Sequence, residues 1–139
     1  MIAEEKMRKR IWILVAAATL LLAGCGSSRK PENTYRQITQ EEAAKLMAEQ
    51  SDYLLLDVRT QAEFDQAHIP GAVCIPNETI GTDEIPALPD KNQLILVYCR
   101  SGNRSKQAAE KLAQLGYTNI VEFGGINTWT GETVSGSDG

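Results

Sequence analysis

Cys99 ends an all-apolar run, Leu94–Tyr98, and is followed at once by Arg100-Ser101-Gly102-Asn103-Arg104-Ser105. A strand that runs into a tight glycine-bearing loop and then into a helix start leaves its last side chain where backbone N–H groups converge. Such a place favours negative charge, so the thiol there should ionise easily, and the thiolate is the reactive form. Arg100 and Arg104 add two guanidinium groups, which stay protonated and present a planar fork to oxyanions; both should lower the thiol pKa. Gly102 can take the positive φ that a tight ring of amides demands, and Ser101, Asn103 and Ser105 can add side-chain donors. The set describes a cysteine nucleophile in an anion-binding loop, suited to covalent catalysis. The plainer alternatives are an inert core cysteine and two solvated arginines at a helix start.

The remaining chemistry-bearing residues read as supports. Asp57 and Arg59 flank the end of a second apolar run, Tyr53–Asp57, and with Glu63 they are expected to pair or to hold loop backbone beside the site rather than to touch a substrate. His68, the single histidine, is read as structural, because a thiolate already ionised by its loop needs no base. Phe123 and Trp129 are read as core. Cys74 lies in a short apolar stretch and is read as a buried core residue, with a resolving thiol for Cys99 as the sharper alternative. The chain has no C-x-x-C pair, no zinc-ligand spacing and no nucleotide-binding loop. No cofactor and no metal are expected.

Strand and helix signals alternate through the elements that must position these residues. Strands are expected at Arg36–Ile38, Tyr53–Asp57, Ala72–Ile75, Leu94–Tyr98 and Ile120–Phe123. Helices are expected at Gln40–Gln50, with Thr39 and Glu42 at capping-box spacing, at Gln61–Gln66, at Arg104–Leu115 before Gly116, and as a short piece at Gly125–Thr130. Residues 77–89 read as loop with at most one helical turn, because Pro86 and Pro89 break it. Apolar strands alternating with helices imply a central, mostly parallel sheet of about five strands covered on both faces, a three-layer α/β/α domain. In such sheets ligands sit beyond the carboxyl ends of the strands, and Cys99 is at that end of its own.

The N-terminus has a different composition. Lys6, Arg8, Lys9 and Arg10 precede 13 residues, Ile11–Ala23, that are apolar apart from Thr19. That run is short for a bilayer span and suits a signal-peptide core. Leu22-Ala23-Gly24-Cys25 resembles a bacterial lipoprotein lipobox, which implies cleavage before Cys25, lipid on its sulfur, and a protein anchored to the cell membrane or outer membrane and facing outside the cytoplasm. An ordinary signal peptide or an uncleaved anchor is the alternative. The organisation expected is therefore a lipoprotein signal peptide at 1–24, a lipid-anchored flexible linker at 25–34, a folded domain at 35–132 and a disordered tail at 133–139. Of the 14 basic and 18 acidic residues, four and two precede Cys25, which leaves 10 and 16, net −6, on the mature chain. An acidic domain of this kind is a poor partner for nucleic acid, and a monomer is expected.

Leu56-Asp57-Val58-Arg59, Glu63-Phe64, His68-Ile69-Pro70-Gly71-Ala72, Val97–Ser105 and Gly124-Gly125-Ile126 with Trp129 together resemble, in sequence and spacing, the rhodanese-like domain. Ala67 departs from the pattern, since the family often has glycine there, and a locally strained turn is the expected consequence. The resemblance implies sulfur transfer: Cys99 would take the outer sulfur of a small anionic donor such as thiosulfate, hold it as a persulfide, and yield it to a thiol or cyanide. It also implies a substrate-binding loop, Arg100–Ser105. Four residues separate Cys99 from Arg104, whereas the cysteine phosphatases resemble C-x5-R, a longer loop that accommodates a tetrahedral phosphate; the shorter one suits a single extra sulfur atom. The other classes in view are an extracytoplasmic thiol redox protein using Cys99 with Cys74, and a non-catalytic rhodanese-like binding module.

Overall fold

The computed structural model describes residues 34–137. The signal-peptide, lipobox and linker readings lie outside the described residues, save position 34. In chain order the elements are β1 (Arg36–Gln37), α1 (Gln40–Glu49), β2 (Tyr53–Asp57), α2 (Gln61–Gln66), β3 (Val73–Cys74), a 3-10 turn at Asn77–Thr79, β4 (Leu94–Cys99), α3 (Asn103–Gln114), β5 (Ile120–Gly125) and a second 3-10 turn at Ile126–Thr128. The five strands form one sheet in the order β1-β5-β4-β2-β3, and every neighbouring pair is parallel.

Strand periodicity decides which side chains meet which helix. On one face Leu56, Ile95, Val97, Cys99 and Ile120 pack against Ala108, Ala109, Leu112 and Ala113 of α3. On the other, Leu55, Leu96, Tyr98, Val121 and Phe123 pack against Ala43 of α1 and Phe64 of α2, with Trp129 at the margin. β4 is central and loses its exposure on both sides, which is why its sequence is a continuous apolar run rather than an alternating one.

The helices start where side-chain chemistry dictates. Thr39 caps α1, accepting from the Glu42 N–H at 3.1 Å while the Glu42 carboxylate accepts from the Thr39 N–H at 2.8 Å. Thr60 and Glu63 form a second capping box on α2, at 3.3 and 2.9 Å, a pattern the sequence carries at the same spacing as Thr39 and Glu42. The short final helix is a 3-10 turn of three residues. Val134–Gly136, expected to be disordered, are bonded back to the domain: Val134 pairs antiparallel with His68, and the Gly136 N–H donates to the Asp65 carbonyl at 2.8 Å. The polar, glycine-rich composition hid this, because both contacts use backbone groups alone.

One buried ion pair ties the carboxyl edge of the sheet on the α1/α2 side. Asp57 is 0% and Arg59 5% exposed. The Arg59 Nη2 donates to Asp57 Oδ2 at 2.6 Å and to the Ala67 carbonyl at 2.6 Å, and Arg59 Nε and backbone N–H both reach Asp57 Oδ1, at 3.0 and 2.9 Å. The pair thus fastens the end of α2 to the end of β2. Ala67, anticipated as a strained position, has φ −165°, ordinary extended backbone, so glycine's freedom is not needed there.

Removing one partner of a buried pair leaves the other charge uncompensated, which costs about 3–5 kcal/mol. Asp57→Ala is expected to lower the unfolding free energy by about that amount in urea titrations; a loss below roughly 1 kcal/mol, the range of exposed pairs, would show that water reaches Arg59 and that the pair does not hold this edge.

Candidate functional site

β4 ends in Cys99, and the chain turns through Arg100-Ser101-Gly102 into α3. Gly102 caps α3 at φ 108°, a left-handed conformation that a side chain would oppose. That turn brings the Gly102 N–H to 3.0 Å from Cys99 Sγ. The Ser105 hydroxyl lies 3.4 Å from the same sulfur. Burial pushes the Cys99 thiol pKa up, yet hydrogen bonds from the Ser105 hydroxyl and from the N–H groups of Ser105, Gly102 and Ser101 outweigh it, so the thiol is held below its ordinary value. Cys99 is only 1% exposed. The sulfur therefore lies beneath its loop.

The other face of the loop is set by β5. A Cβ on Gly125 would lie 2.0 Å from the Arg100 carbonyl oxygen, so the strand passes the loop with bare backbone. The Arg100 carbonyl accepts from the Asn127 N–H at 3.2 Å. The residues of Arg100, Ser101 and Asn103 are exposed at the mouth.

Arg104 is not free at that mouth. Its Nη1 and Nη2 donate to the two oxygens of Glu63 at 2.8 and 3.0 Å, a two-bonded fork of the kind guanidinium favours. The Arg104 bond holds the Glu63 carboxyl down at about 2, against the burial that would raise it, with the Thr60 cap adding to the effect. Glu63 thus joins the helix cap of α2 to the first turn of α3.

Several residues singled out from the sequence lie away from the sulfur. Asp57 is in register with Tyr98 and with Cys74, and residues paired across neighbouring strands project to the same side. Asp57, Tyr98 and Cys74 therefore face α1 and α2, opposite Cys99. Arg59 lies over the Tyr98 ring at 5.8 Å on that same side. His68 is fully buried there, its ring stacked on Phe64 at 3.7 Å between centroids and its Nδ1 2.8 Å from the Phe64 carbonyl.

The redox alternative fails on this register. Cys74 is on β3, two strands from β4, a separation of about 9.6 Å in a sheet, and it points to the other face; a disulfide needs Cα atoms within about 7 Å and converging Cβ vectors. Both cysteines are free. Burial pushes the Cys74 thiol up to about 11, with the Asp57 charge adding to it.

Glu122 belongs to this site and was missed. It is 2% exposed, is in register with Val97 on the Cys99 side of the sheet, and its Oε1 accepts from the Ser105 hydroxyl at 2.6 Å and from the Gly124 N–H at 2.8 Å. A signal was there to find: a single charge at an inward position of the otherwise apolar Ile120–Phe123.

The comparisons with known proteins agree with this architecture. The family model of the rhodanese-like domain matches residues 39–132. The chain is 39% identical over 71 residues to a thiosulfate sulfurtransferase, PspE, of Escherichia coli strain K12, covering 51% of this chain and 68% of that one. It is 40% identical over 96 residues to a sulfurtransferase of Allochromatium vinosum, covering 67% and 86%. Among solved structures, an E. coli rhodanese with anions superposes with a TM-score of 0.56 at 36% identity, covering 60% of this chain and 99% of that one. A rhodanese-like domain protein from Staphylococcus aureus gives 0.58 at 31%, covering 70% and 93%.

The Glu63–Arg104 fork carries a pH signature. The folded-state pKa of Glu63, about 2, lies below its ordinary 4.5, so the pair stabilises fully above 4.5 and is lost as pH falls from there toward 2. The urea midpoint of the wild type should therefore fall more steeply across that window than that of Glu63→Gln. Parallel curves for the two proteins would mean that the fork contributes nothing to folding.

Proposed function

Because the chain belongs to the rhodanese-like family of sulfurtransferases, we propose that Cys99 is its sulfur carrier, taking sulfane sulfur from thiosulfate or a similar small anion and passing it to a thiol or cyanide. The observation that carries this reading is the Cys99 sulfur itself, with an N–H at 3.0 Å and its pKa held below the ordinary thiol value, beneath a loop of C-x4-R length. In the first half-reaction the thiolate attacks the outer sulfur of thiosulfate. A bond forms from Sγ to that sulfur, the S–S bond of the donor breaks, and sulfite leaves with its electron pair. The terminal sulfur of the persulfide then carries the negative charge, and the loop amides are placed to hold it. In the second half-reaction the nucleophilic acceptor attacks the terminal sulfur, the persulfide bond breaks, and its electron pair returns to Sγ. No external redox partner and no cofactor enter this cycle.

Arg104 and Arg100 supply charge for the donor anion at the mouth. Arg104 is engaged by Glu63, so the donor would share the guanidinium with a carboxylate rather than meet a free cation. Phosphate transfer has no comparable support, since the sulfur is 1% exposed and a tetrahedral group needs more room around it. A binding module without turnover leaves the lowered thiol pKa unexplained.

The lipobox-like Leu22-Ala23-Gly24-Cys25 further supports an anchored protein, with the domain held at a membrane surface outside the cytoplasm through lipid on Cys25. Intact mass of protein taken from the cell envelope tests this: cleavage before Cys25 with added acyl mass is expected, and an unmodified chain still carrying residues 1–24 would overturn it.

Thiosulfate:cyanide turnover in the wild type and none in Cys99→Ser is the expected result for the catalytic reading. Thiosulfate alone should raise the intact mass by one sulfur atom, located at Cys99. Turnover that survives Cys99→Ser, or added sulfur found on Cys74 instead, would sink the mechanism.

A further inference from the structure

β1 is too short to cover its neighbour. It pairs with β5 only as far as Glu122, whose carbonyl accepts from the Ile38 N–H at 3.0 Å, and the chain then turns through Thr39 into α1. Among the described residues no strand lies along the outer edge of Phe123–Gly125. Gln40, the first residue of α1, fills the gap with a side chain: its Nε2 donates to the Gly125 carbonyl at 2.7 Å and to Thr128 Oγ1 at 2.9 Å. We propose that Gln40 is a positioning residue for the Cys99 loop, holding Gly125 against the Arg100–Ser101 peptide so that the Ser101 N–H stays turned toward the sulfur. The inference deepens the sulfur-carrier reading of Cys99 and rests on it for its use in turnover.

The segment that needs holding is the one least able to hold itself. Gly124 and Gly125 are adjacent, have no side chains to pack, and have more backbone freedom than any other residue type. What fixes them must come from elsewhere. From inside the sheet, Glu122 Oε1 accepts from the Gly124 N–H at 2.8 Å. From outside, the Gly125 carbonyl accepts from Gln40 and, at 3.3 Å, from the Thr128 hydroxyl. A glutamine amide has two hydrogens to give, and Gln40 uses both here.

Both acceptors of Gln40 lead to the same peptide group. Gly125 is in register with Cys99, and its bare backbone lies on the Arg100–Ser101 peptide: a Cβ there would be 2.0 Å from the carbonyl oxygen, 2.3 Å from the carbonyl carbon and 2.6 Å from the Ser101 nitrogen. Thr128 closes the 3-10 turn that contains Asn127, whose N–H donates to the Arg100 carbonyl at 3.2 Å. A peptide group is planar, so its carbonyl and its N–H turn together. With the carbonyl held by Asn127 and the plane blocked by Gly125, the Ser101 N–H is left among the donors to Cys99. Were Gly125 to move outward, that plane could rotate and take the N–H away from the sulfur.

Gln40 is uncharged and bonds to neither the sulfur nor its loop, so it acts through the peptide alone. The charged groups facing Cys99 are Arg104 of α3, paired with Glu63 of α2 and with Glu78 of the first 3-10 turn beyond it, and Glu122 of β5, reached through Ser105. Gln40 bonds to none of them, so their effect on the thiol is common to the wild type and a Gln40 variant. The loop amides serve negative charge on Cys99 Sγ and, during transfer, on the terminal sulfur of the persulfide. A loosened Gly125 therefore weakens both.

The test is the rate of iodoacetamide alkylation at Cys99 against pH, located by mass on the full-length chain, since the thiolate is the reactive form. Gln40→Met keeps the length and bulk of the side chain and removes its donors. It should lower the ionisation constant of Cys99, read as the midpoint of the profile, about fivefold, the factor that one net hydrogen bond is worth. A midpoint that stays at the wild-type pH overturns the proposal, whether or not the rate itself changes, because a rate altered at every pH reports access to the sulfur and not its amides. A midpoint at lower pH overturns it as well. Where the variant fails to fold, the wild type decides: scalar coupling across the hydrogen bond from the Gln40 side-chain nitrogen to the Gly125 carbonyl carbon is expected, and its absence overturns the proposal. The alkylation readout needs no turnover. A shifted midpoint in a protein without thiosulfate activity would overturn the transfer reading alone, and activity with an unshifted midpoint would overturn the role of Gln40 alone.

Discussion

The turn after Cys99 can close on its own sulfur only because β5 passes it without a side chain. Added to Gly125, a Cβ would lie 2.0 Å from the Arg100 carbonyl oxygen and 2.6 Å from the Ser101 nitrogen, separations that no rotamer change relieves. With the backbone of β5 in van der Waals contact, the carbonyl of Arg100 is fixed by Asn127, and the peptide that follows swings through Gly102 so that its N–H faces inward. The position of one amide hydrogen thus depends on a missing methyl group in a strand more than twenty residues later in the chain. A break in register between Val97 and Cys99, where β4 meets β5, is the local price of that approach.

From this constraint follows the division of polar groups between the two faces of the sheet. The α1/α2 face carries a closed pair: Asp57 and Arg59 satisfy each other and the Ala67 carbonyl, and their charges cancel where burial would make an unpaired one costly. The α3 face carries an open line, Cys99–Ser105–Glu122, with no cation among the described residues bonded to any member. Buried polar networks on the two sides therefore do different things. The first fastens the edge of the sheet; the second places one hydroxyl between a buried carboxylate and the sulfur. Placing both at the carboxyl ends of neighbouring strands is what the parallel arrangement allows, since every β-to-α turn converges there.

Much of this was legible in the sequence, for physical reasons that can be named. Apolar runs of strand length at Tyr53–Asp57 and Leu94–Tyr98 could be placed because central parallel strands are buried on both faces and leave no alternation to misread. The Thr39 cap was visible because its two partners are three residues apart. What stayed hidden depends on distant pairings. The Glu63–Arg104 fork joins residues 41 positions apart, and neither side chain advertises its partner. Val134 pairs through its backbone with His68, a contact to which composition is blind. Glu122 shows the third kind of failure. Its inward position follows from the same period-2 rule that placed Ile120, but a charge inside a strand is ordinarily discounted as a sign of an exposed face.

The fork also bears on what kind of donor the mouth suits. Glu63 accepts from both terminal nitrogens of Arg104 and from the Thr60 cap, so a donor anion that took over the guanidinium would strand a carboxylate already committed to the start of α2. A donor that keeps to the unoccupied edge of the guanidinium, and relies on the exposed Arg100 for the rest of its charge, leaves the fork whole. The sulfur of Cys99 lies buried beneath the loop while Arg100 stands exposed outside it, so the donor proposed above must carry its charge at the end away from its reactive sulfur. Thiosulfate, the donor proposed above, has that shape.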